Sequence, residues 1–188
     1  MKIEVVNNKG DSIEIPIPEN YSDCLVLAKS DYIRYSNKKA GWLSVILYAL
    51  LNYNYAYGVL LRMSKYKGWM FPFFRWRLGK MGRKYGISFS RNVKLGYGIK
   101  IVHAIGIIIN ATAVIGNNCT IHQLTTIGSD FDNAAVIGDN VYIGPGVCIV
   151  ENVSIGKNTI IGAGAVVVDD IPAGSLAVGV PAIVKKQY

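Results

Sequence analysis

The residues of this 188-residue sequence best suited to proton transfer are its two histidines, His103 and His122. A neutral imidazole, with a pKa of about 6.5, can take a proton from a hydroxyl group and return it to a leaving group. A hydroxyl oxygen is a weak nucleophile without such a base, because its own pKa lies far above neutrality. His103 is therefore a candidate general base; its alternative role is that of a histidine in a turn. His122 is either a surface side chain or a contact to the substrate or an oxyanion.

A six-residue repeat surrounds both histidines. An apolar anchor recurs at every sixth position over three stretches, with a small or β-branched residue two positions before most anchors. The anchors are Phe89, Leu95, Ile101, Ile109, Ile115, Ile121, Ile127, Ile137, Ile143, Ile149, Ile155, Ile161 and Val167. Hexapeptide repeats are typical of a parallel β-helix, in which each coil is built from three short strands. Residues 89–167 therefore predict about four coils.

The repeat is interrupted twice, and each interruption predicts a bulge. Two extra residues lie between Ile101 and Ile109, and four extra residues lie within residues 129–135. Loops that interrupt a rigid scaffold often carry binding and catalytic residues. Because His103 lies in the first bulge, we expect the reactive group there.

The first part of the chain has a different texture from the repeats. Alternating apolar residues around a short polar turn predict a β-hairpin over residues 2–17. Helices are predicted over about 22–39, 42–52, 54–67 and from Pro72 to about 85. The uncharged stretch 40–61 is not expected to span a membrane, because asparagines and tyrosines interrupt its centre. We expect two regions: hairpin and helices in 1–86, and β-helix and tail in 87–188.

Positive charge is concentrated in the helical region. The chain has a net charge of +8, and residues 1–86 hold 14 bases and six acids, whereas residues 87–188 hold six of each. No acid occurs between Asp31 and Asp130, and the densest basic run, 75–84, is mixed with aromatic residues. This pattern fits either a solvated helix face or contact with an anionic membrane. No nucleic-acid-binding module accompanies it, so nucleic acid is not an expected partner.

The cysteines indicate a reduced, cytoplasmic chain. Cys24, Cys119 and Cys148 are widely spaced and cannot all pair with one another. We expect Cys119 and Cys148 to pack in the core. No cluster with metal-ligand spacing is present in the sequence, so no metal is predicted.

The repeats, His103 and the terminal segment 179–185 together resemble the hexapeptide-repeat acyltransferases. Residues 102–109, followed by 113–116, are similar to the Asp-His-Ala-Thr-Gly block of serine acetyltransferases and related polysaccharide O-acetyltransferases. The galactoside and antibiotic acetyltransferase branch fits less well, because its Ile-Gly-Gly-His segment is Ile-Gly-Pro-Gly at 143–146. The resemblance implies a mainly β fold, a left-handed parallel β-helix preceded by the hairpin and helices. It also implies homotrimers with active sites between neighbouring β-helices.

The resemblance further implies where acetyl-CoA would bind as co-substrate. In the family, the pantetheine arm lies along the coil edge against small residues, and the tail closes over the adenine end. The matching positions are Gly128, Gly144, Pro145, Gly162, Ala163, Lys185 and Lys186. The two lysines would lie near the phosphates as charge-assisted donors.

The sequence departs from true serine acetyltransferases around the base. Val102 occupies the position of the aspartate before the base, and Ser88 aligns with the aspartate that orients it. The Arg-His pair of the family's later loop is absent from residues 128–133. Asp31 could replace one of the missing family carboxylates as a contact to the substrate. Ser88 could orient His103 or contact the substrate.

These departures favour an acetyl-CoA-dependent O-acetyltransferase acting on a sugar hydroxyl of a surface polysaccharide or its lipid-linked precursor. A serine O-acetyltransferase of cysteine biosynthesis is the first alternative. A non-catalytic β-helix scaffold subunit is the second. The basic helices add the expectation of peripheral contact with the inner surface of an anionic membrane.

Overall fold

The computed structural model describes residues 1–39, 41–130 and 133–188. The chain begins with an antiparallel hairpin, continues through helices and ends in a stack of short strands. The hairpin and helices are β1 (Lys2–Asn8), β2 (Asp11–Ile17), α1 (Tyr21–Ser36), α2 (Trp42–Leu51), α3 (Tyr53–Met63) and α4 (Phe71–Tyr85). The predicted hairpin and helices are present, but α1 and α3 end earlier than expected. Helix α1 ends because Asn37 adopts the left-handed conformation, with φ of 55°.

The strands of the repeat region stack into three parallel faces. They are β3 (Ser88–Phe89), β4 (Lys94–Leu95), β5 (Lys100–Val102), β6 (Ile108–Ile109), β7 (Val114–Ile115), β8 (Thr120–His122), β9 (Thr126–Ile127), β10 (Val136–Ile137), β11 (Tyr142–Ile143), β12 (Cys148–Ile149), β13 (Ser154–Ile155), β14 (Ile160–Ile161), β15 (Val166–Val167), β16 (Ser175–Val178) and β17 (Ile183–Gln187). Face 1 contains β3, β6, β9, β12 and β15; face 2 contains β4, β7, β10 and β13; face 3 contains β5, β8, β11, β14 and β16. Strands β16 and β17 pair in antiparallel orientation.

The anchors of the six-residue repeat form the interior of this stack. Every one of them has 4% or less of its surface exposed. On face 1, the anchors of successive coils are paired in register: Ile109 pairs with Ile127, and Ile127 pairs with Ile149. Phe89 and Val167 are separated by four complete turns on this face, so the predicted parallel β-helix of about four coils is confirmed.

Side chains alternate between the inside and the outside of each short strand. Cys119 is buried at an inward position, as expected, and its thiol lies 3.2 Å from the carbonyl oxygen of Gly138. The core position expected for Cys148 is wrong, because this residue is exposed. It directly precedes the inward Ile149, and neighbouring residues on a strand point to opposite faces.

The N-terminal hairpin packs against the outside of face 2. Its turn residues Lys9 and Gly10 have φ of 42° and 104°, the left-handed pair that a two-residue hairpin turn requires. Ile13 and Ile15 are buried and share a cluster with Val114 of β7. The helices instead cover the first coil, where residues of α3 and α4 join the β-helix core. No helix in the described ranges is long and apolar enough to cross a bilayer.

Candidate active site

His103 lies at the corner where the first coil passes from face 3 to face 1. It follows β5 directly and adopts the left-handed backbone conformation, with φ of 50°. Histidine tolerates this conformation better than most non-glycine residues do. The carbonyl oxygen of His103 accepts a hydrogen bond of 2.7 Å from the amide of Ile105, which closes a tight turn. The side chain of His103 is exposed, so the imidazole is open to a ligand.

Helices α1 and α3 hold the backbone on both sides of His103. The Tyr35 hydroxyl accepts a hydrogen bond from the Ile101 amide at 2.8 Å and donates one to the Ile101 carbonyl at 2.7 Å. Asn54 Oδ1 accepts a hydrogen bond of 2.7 Å from the Ala104 amide. Burial raises the pKa of Tyr35, so its hydroxyl stays protonated and keeps its donor. Sequence reasoning missed both positioning residues; an amide side chain in an otherwise apolar, uncharged helical stretch was the available signal for Asn54.

A buried ion pair seals the same edge of the first coil. Arg62 Nε and Nη2 each donate to Asp31 at 2.9 Å, and Asp31 accepts the Ile99 amide at 2.8 Å. The Arg62 guanidinium also donates to the carbonyls of Leu95 and Gly96. Asp31 has 3% of its surface exposed. Both carboxylate oxygens of Asp31 therefore bond groups at the edge of the β-helix, and these contacts do not support its expected role as a substrate contact.

His122 lies beside His103 on the next coil. Val102, the residue before His103, pairs in register with His122 on face 3. The His122 ring is 5.0 Å from the ring of Tyr142, centroid to centroid. Burial lowers the pKa of His122, and electrostatic interactions with His103 and Lys100 act in the same direction, although a hydrogen bond with the side chain of Gln123 opposes them. These surroundings therefore favour the neutral form of His122.

A groove of about 540 Å³ runs along the outside of face 3 next to the histidines. It is lined by Arg34, Asn37, Lys100, Val102, Thr120, His122 and Tyr142. Arg34 Nη2 donates to Thr120 Oγ1 at 2.9 Å, so α1 reaches onto this face. The lining contains two basic side chains, those of Arg34 and Lys100, and no carboxylate. Such a groove suits a neutral polyol or an anion better than a cation.

Small residues occupy the His103 corner from the second coil after His103 onward. Gly146 donates to the Gln123 carbonyl at 3.0 Å, and Gly164 donates to the Pro145 carbonyl at 2.9 Å, so successive corners stack directly. The coils approach closely here, because a Cβ built on Gly144 would lie 2.8 Å from the amide nitrogen of Ala163. Gly144, Pro145, Gly162 and Ala163 therefore form a strip with little side-chain bulk, which we name the small-residue strip.

The C-terminal tail closes the far end of the stack. Strand β17 pairs with β16, and the Ala182 amide donates to the Val166 carbonyl at 2.7 Å. Lys185 and Lys186 are exposed on β17, and Lys186 Nζ lies 4.5 Å from the ring centroid of Tyr188. Across the described ranges, no group of three or more His, Cys, Asp or Glu side chains is close enough to hold a metal ion.

Comparisons with known proteins agree with this architecture. The family model for bacterial transferase hexapeptide repeats (six repeats) matches residues 134–169. Serine acetyltransferase 1, chloroplastic, of Arabidopsis thaliana is 43% identical over 107 residues, covering 55% of this chain and 34% of the relative. The solved soybean serine acetyltransferase complexed with serine is 30% identical, with a TM-score of 0.67, covering 85% of this chain and 68% of that one. A serine acetyltransferase solved in complex with CoA is 25% identical, with a TM-score of 0.67, covering 86% of this chain and 68% of that one.

The chain belongs to the left-handed β-helix, hexapeptide-repeat acyltransferases. The chain spans between about a quarter and a half of the length of the curated serine acetyltransferases it matches, from 27% for one Arabidopsis protein to 50% for the Staphylococcus aureus protein.

Two residues of this acyltransferase that were expected at the site lie apart from His103 and from the small-residue strip within one chain. Ser88 lies on face 1, in a separate cavity of about 680 Å³ formed with α4. No hydrogen bond joins it to His103, and both residues are among those described, so its expected role in orienting His103 is not seen in the chain. Gly128 follows Ile127 of face 1, whereas Gly144 and Gly162 follow anchors of face 3. It therefore lies at a different corner, away from the small-residue strip.

Proposed function

We propose that this acyltransferase moves an acetyl group from acetyl-CoA to a hydroxyl group, with His103 as the general base. The imidazole takes the hydroxyl proton as the oxygen attacks the thioester carbonyl. The C–S bond then breaks, and the imidazolium returns the proton to the CoA sulfur. The observation that carries the proposal is the position of an exposed, backbone-anchored His103 at the corner of the β-helix that carries the small-residue strip on later coils.

The small-residue strip offers a path for the pantetheine arm of acetyl-CoA. Coils stack about 4.8 Å apart, so the corner that runs from His103 past the strip to the tail is about 19 Å long. An extended pantetheine arm can follow such a path with its thioester at His103. Lys185 and Lys186, both exposed at the far end, would then contact the phosphates. This arrangement needs no metal ion.

Two observations favour different acceptors, L-serine and a sugar hydroxyl. The names of the relatives and of the solved structures support L-serine, and they support it better than the sugar hydroxyl favoured by the sequence departures. A sugar hydroxyl remains the second candidate because of the groove. Serine brings an ammonium group, yet the groove lining holds Arg34 and Lys100 with no acid, and Asp31 is occupied by Arg62.

An acceptor screen distinguishes these candidates. The purified chain is incubated with acetyl-CoA, and free thiol is measured with L-serine, L-alanine, a nucleotide sugar or an oligosaccharide. We expect thiol release with L-serine and none with L-alanine, which is the matched control without a hydroxyl. Release with sugars only would replace L-serine by the second candidate. No release with any hydroxyl compound would contradict acetyl transfer and favour the scaffold alternative.

We also propose that the chain works as a homotrimer in the cytoplasm. In a single chain the His103 side chain is exposed and makes no hydrogen bond among the described residues. A neighbouring β-helix packed at this corner would enclose the imidazole and complete the site. Sedimentation equilibrium should give a mass three times the chain mass of 20.5 kDa. A monomer that is fully active in the thiol assay would contradict this assembly.

A further inference from the structure

Helix α2 leaves a wide apolar row in solvent. Its inner side is used in packing, since Val45 is buried in a cluster with Ala28 and Tyr55. The exposed row consists of Trp42 (61%), Leu43 (51%), Ile46 (48%), Leu47 (52%), Leu50 (77%) and Leu51 (87%). Large contiguous apolar patches on a protein surface usually mark a contact with a membrane or another molecule.

Helix α4 presents unpaired positive charge. Arg75, Arg77, Lys80, Arg83 and Lys84 are all exposed, and none forms an ion pair with any acid in the part of the chain that is described. The exposed rings of Phe73 and Trp76 lie among them, and Lys80 Nζ is 5.5 Å from the Trp76 ring centroid. The helix therefore combines cationic heads with aromatic side chains of the kind found at membrane interfaces.

The row of α2 and the bases of α4 belong to one surface. A shared groove of about 360 Å³ is lined by Leu50 and Leu51 from α2 and by Arg77, Lys80 and Lys84 from α4. The bases therefore border the apolar row directly. We name the combination of the exposed row of α2 and the exposed bases and aromatics of α4 the α2–α4 surface.

We propose that the α2–α4 surface docks on an anionic lipid membrane. The ten residues of α2 extend over about 15 Å, too short to cross a bilayer, so the helix would lie in the interface. Its apolar row would enter the acyl boundary while the α4 bases contact anionic headgroups. Charge complementarity selects lipid over a second copy, because a symmetric pairing of two α2–α4 surfaces would bring like charges together. This inference does not depend on the acetyl-transfer proposal.

Vesicle co-sedimentation of the full chain tests the proposal. The probes are vesicles of phosphatidylcholine alone and vesicles in which a quarter of the lipid is phosphatidylglycerol, each at low and high NaCl. The basic variant is Arg77→Gln, Lys80→Gln, Lys84→Gln; its control is Lys2→Gln, Lys9→Gln, Lys157→Gln, which removes the same charge from exposed residues elsewhere. The apolar variant is Leu50→Ser, Leu51→Ser; its control is Ile3→Ser, Val5→Ser on the exposed side of the hairpin.

We expect binding to anionic vesicles at low salt and release at high salt. Each basic side chain near an anionic surface raises the binding affinity about fivefold. The basic variant lacks three of them, so its affinity for the vesicles should be about a hundredfold lower. The apolar variant should also bind more weakly, while both controls bind as the unchanged chain does. Absence of binding, equal binding to neutral vesicles, or equal losses in variants and controls would overturn the proposal. A change of oligomeric mass in the apolar variant, without vesicle binding by the parent chain, would assign the surface to a second copy instead.

Discussion

The first and last coils of the β-helix are closed by different chemistry. On the first coil, side chains from distant helices bond the free backbone edge: Tyr35 and Asn54 hold the two sides of His103, and Arg62 with Asp31 seals the rest. On the last coil, the backbone of β17 supplies the partner. The backbone hydrogen bonds between β16 and β17 do not depend on most side-chain identities. The hydrogen bonds at the first coil depend on particular side chains, so a single substitution can remove them. Positioning of the base is therefore vulnerable in a way that closure of the tail is not.

The largest effect should come from His103→Ala, which removes the chemistry from the first coil. General base catalysis contributes about 10²- to 10⁴-fold, so kcat in the thiol-release assay should fall by that factor. The fold should be unchanged, because the side chain is exposed. The matched variant His122→Gln should lose far less kcat, since the proposed mechanism assigns the base to His103 and only a neighbouring position to His122. A His103→Ala enzyme with kcat near that of the parent would remove His103 from the mechanism.

The second effect concerns the closure of the first coil. Arg62→Met leaves the Asp31 carboxylate buried without its cation, which should lower the free energy of unfolding by about 3–5 kcal/mol. The control is Lys157→Met, because its exposed pair with Asp11 is screened by solvent and should contribute little to stability. Urea unfolding followed by circular dichroism measures both. Similar losses in the two variants would mean that the first edge is not closed by this pair.

A smaller effect on stability is expected from a change of pH, because Lys65 also bonds the backbone of the first coil. Lys65 Nζ donates to the carbonyls of Arg91 and Val93 on the first coil. Burial, with the nearby charge of Arg62, lowers the pKa of Lys65 from 10.5 to about 7. Between these two values the unfolded chain binds a proton that the folded chain does not, so stability should rise with pH across this window.

The control for this pH effect is Lys65→Met, in which the free energy of unfolding should rise less with pH. Urea unfolding at pH 7 and at pH 9 gives the slope for each protein. A slope that is the same in both proteins would show that the Lys65 ammonium is not responsible for it.

Much of the fold follows from local patterns in the sequence. The period of six places Ile109 and Ile127 inside the stack, and Lys9-Gly10 places the hairpin turn, because these features depend on neighbouring residues alone. The site is harder to read, because its contacts are long-range. Nothing near Asp31 in the sequence indicates that its partner is Arg62 on another helix. The position of Gly128 could have been found by counting anchors in threes, which separates its corner from that of Gly144. The division of the chain after residue 86 and the roles of the site residues stay predictions.

The central claim is that the first coil performs the chemistry and the later coils hold acetyl-CoA. Its most direct test measures kcat and the KM for acetyl-CoA for Asn54→Ala and Ala163→Leu side by side. Asn54→Ala frees the Ala104 backbone next to His103, so kcat should fall about tenfold with KM unchanged, and Asn54→Asp, which keeps the acceptor oxygen, should restore kcat. Ala163→Leu adds bulk at an exposed position of the small-residue strip, so KM should rise with kcat nearly unchanged. Equal changes of kcat and KM in both variants, or the opposite pattern, would contradict this division.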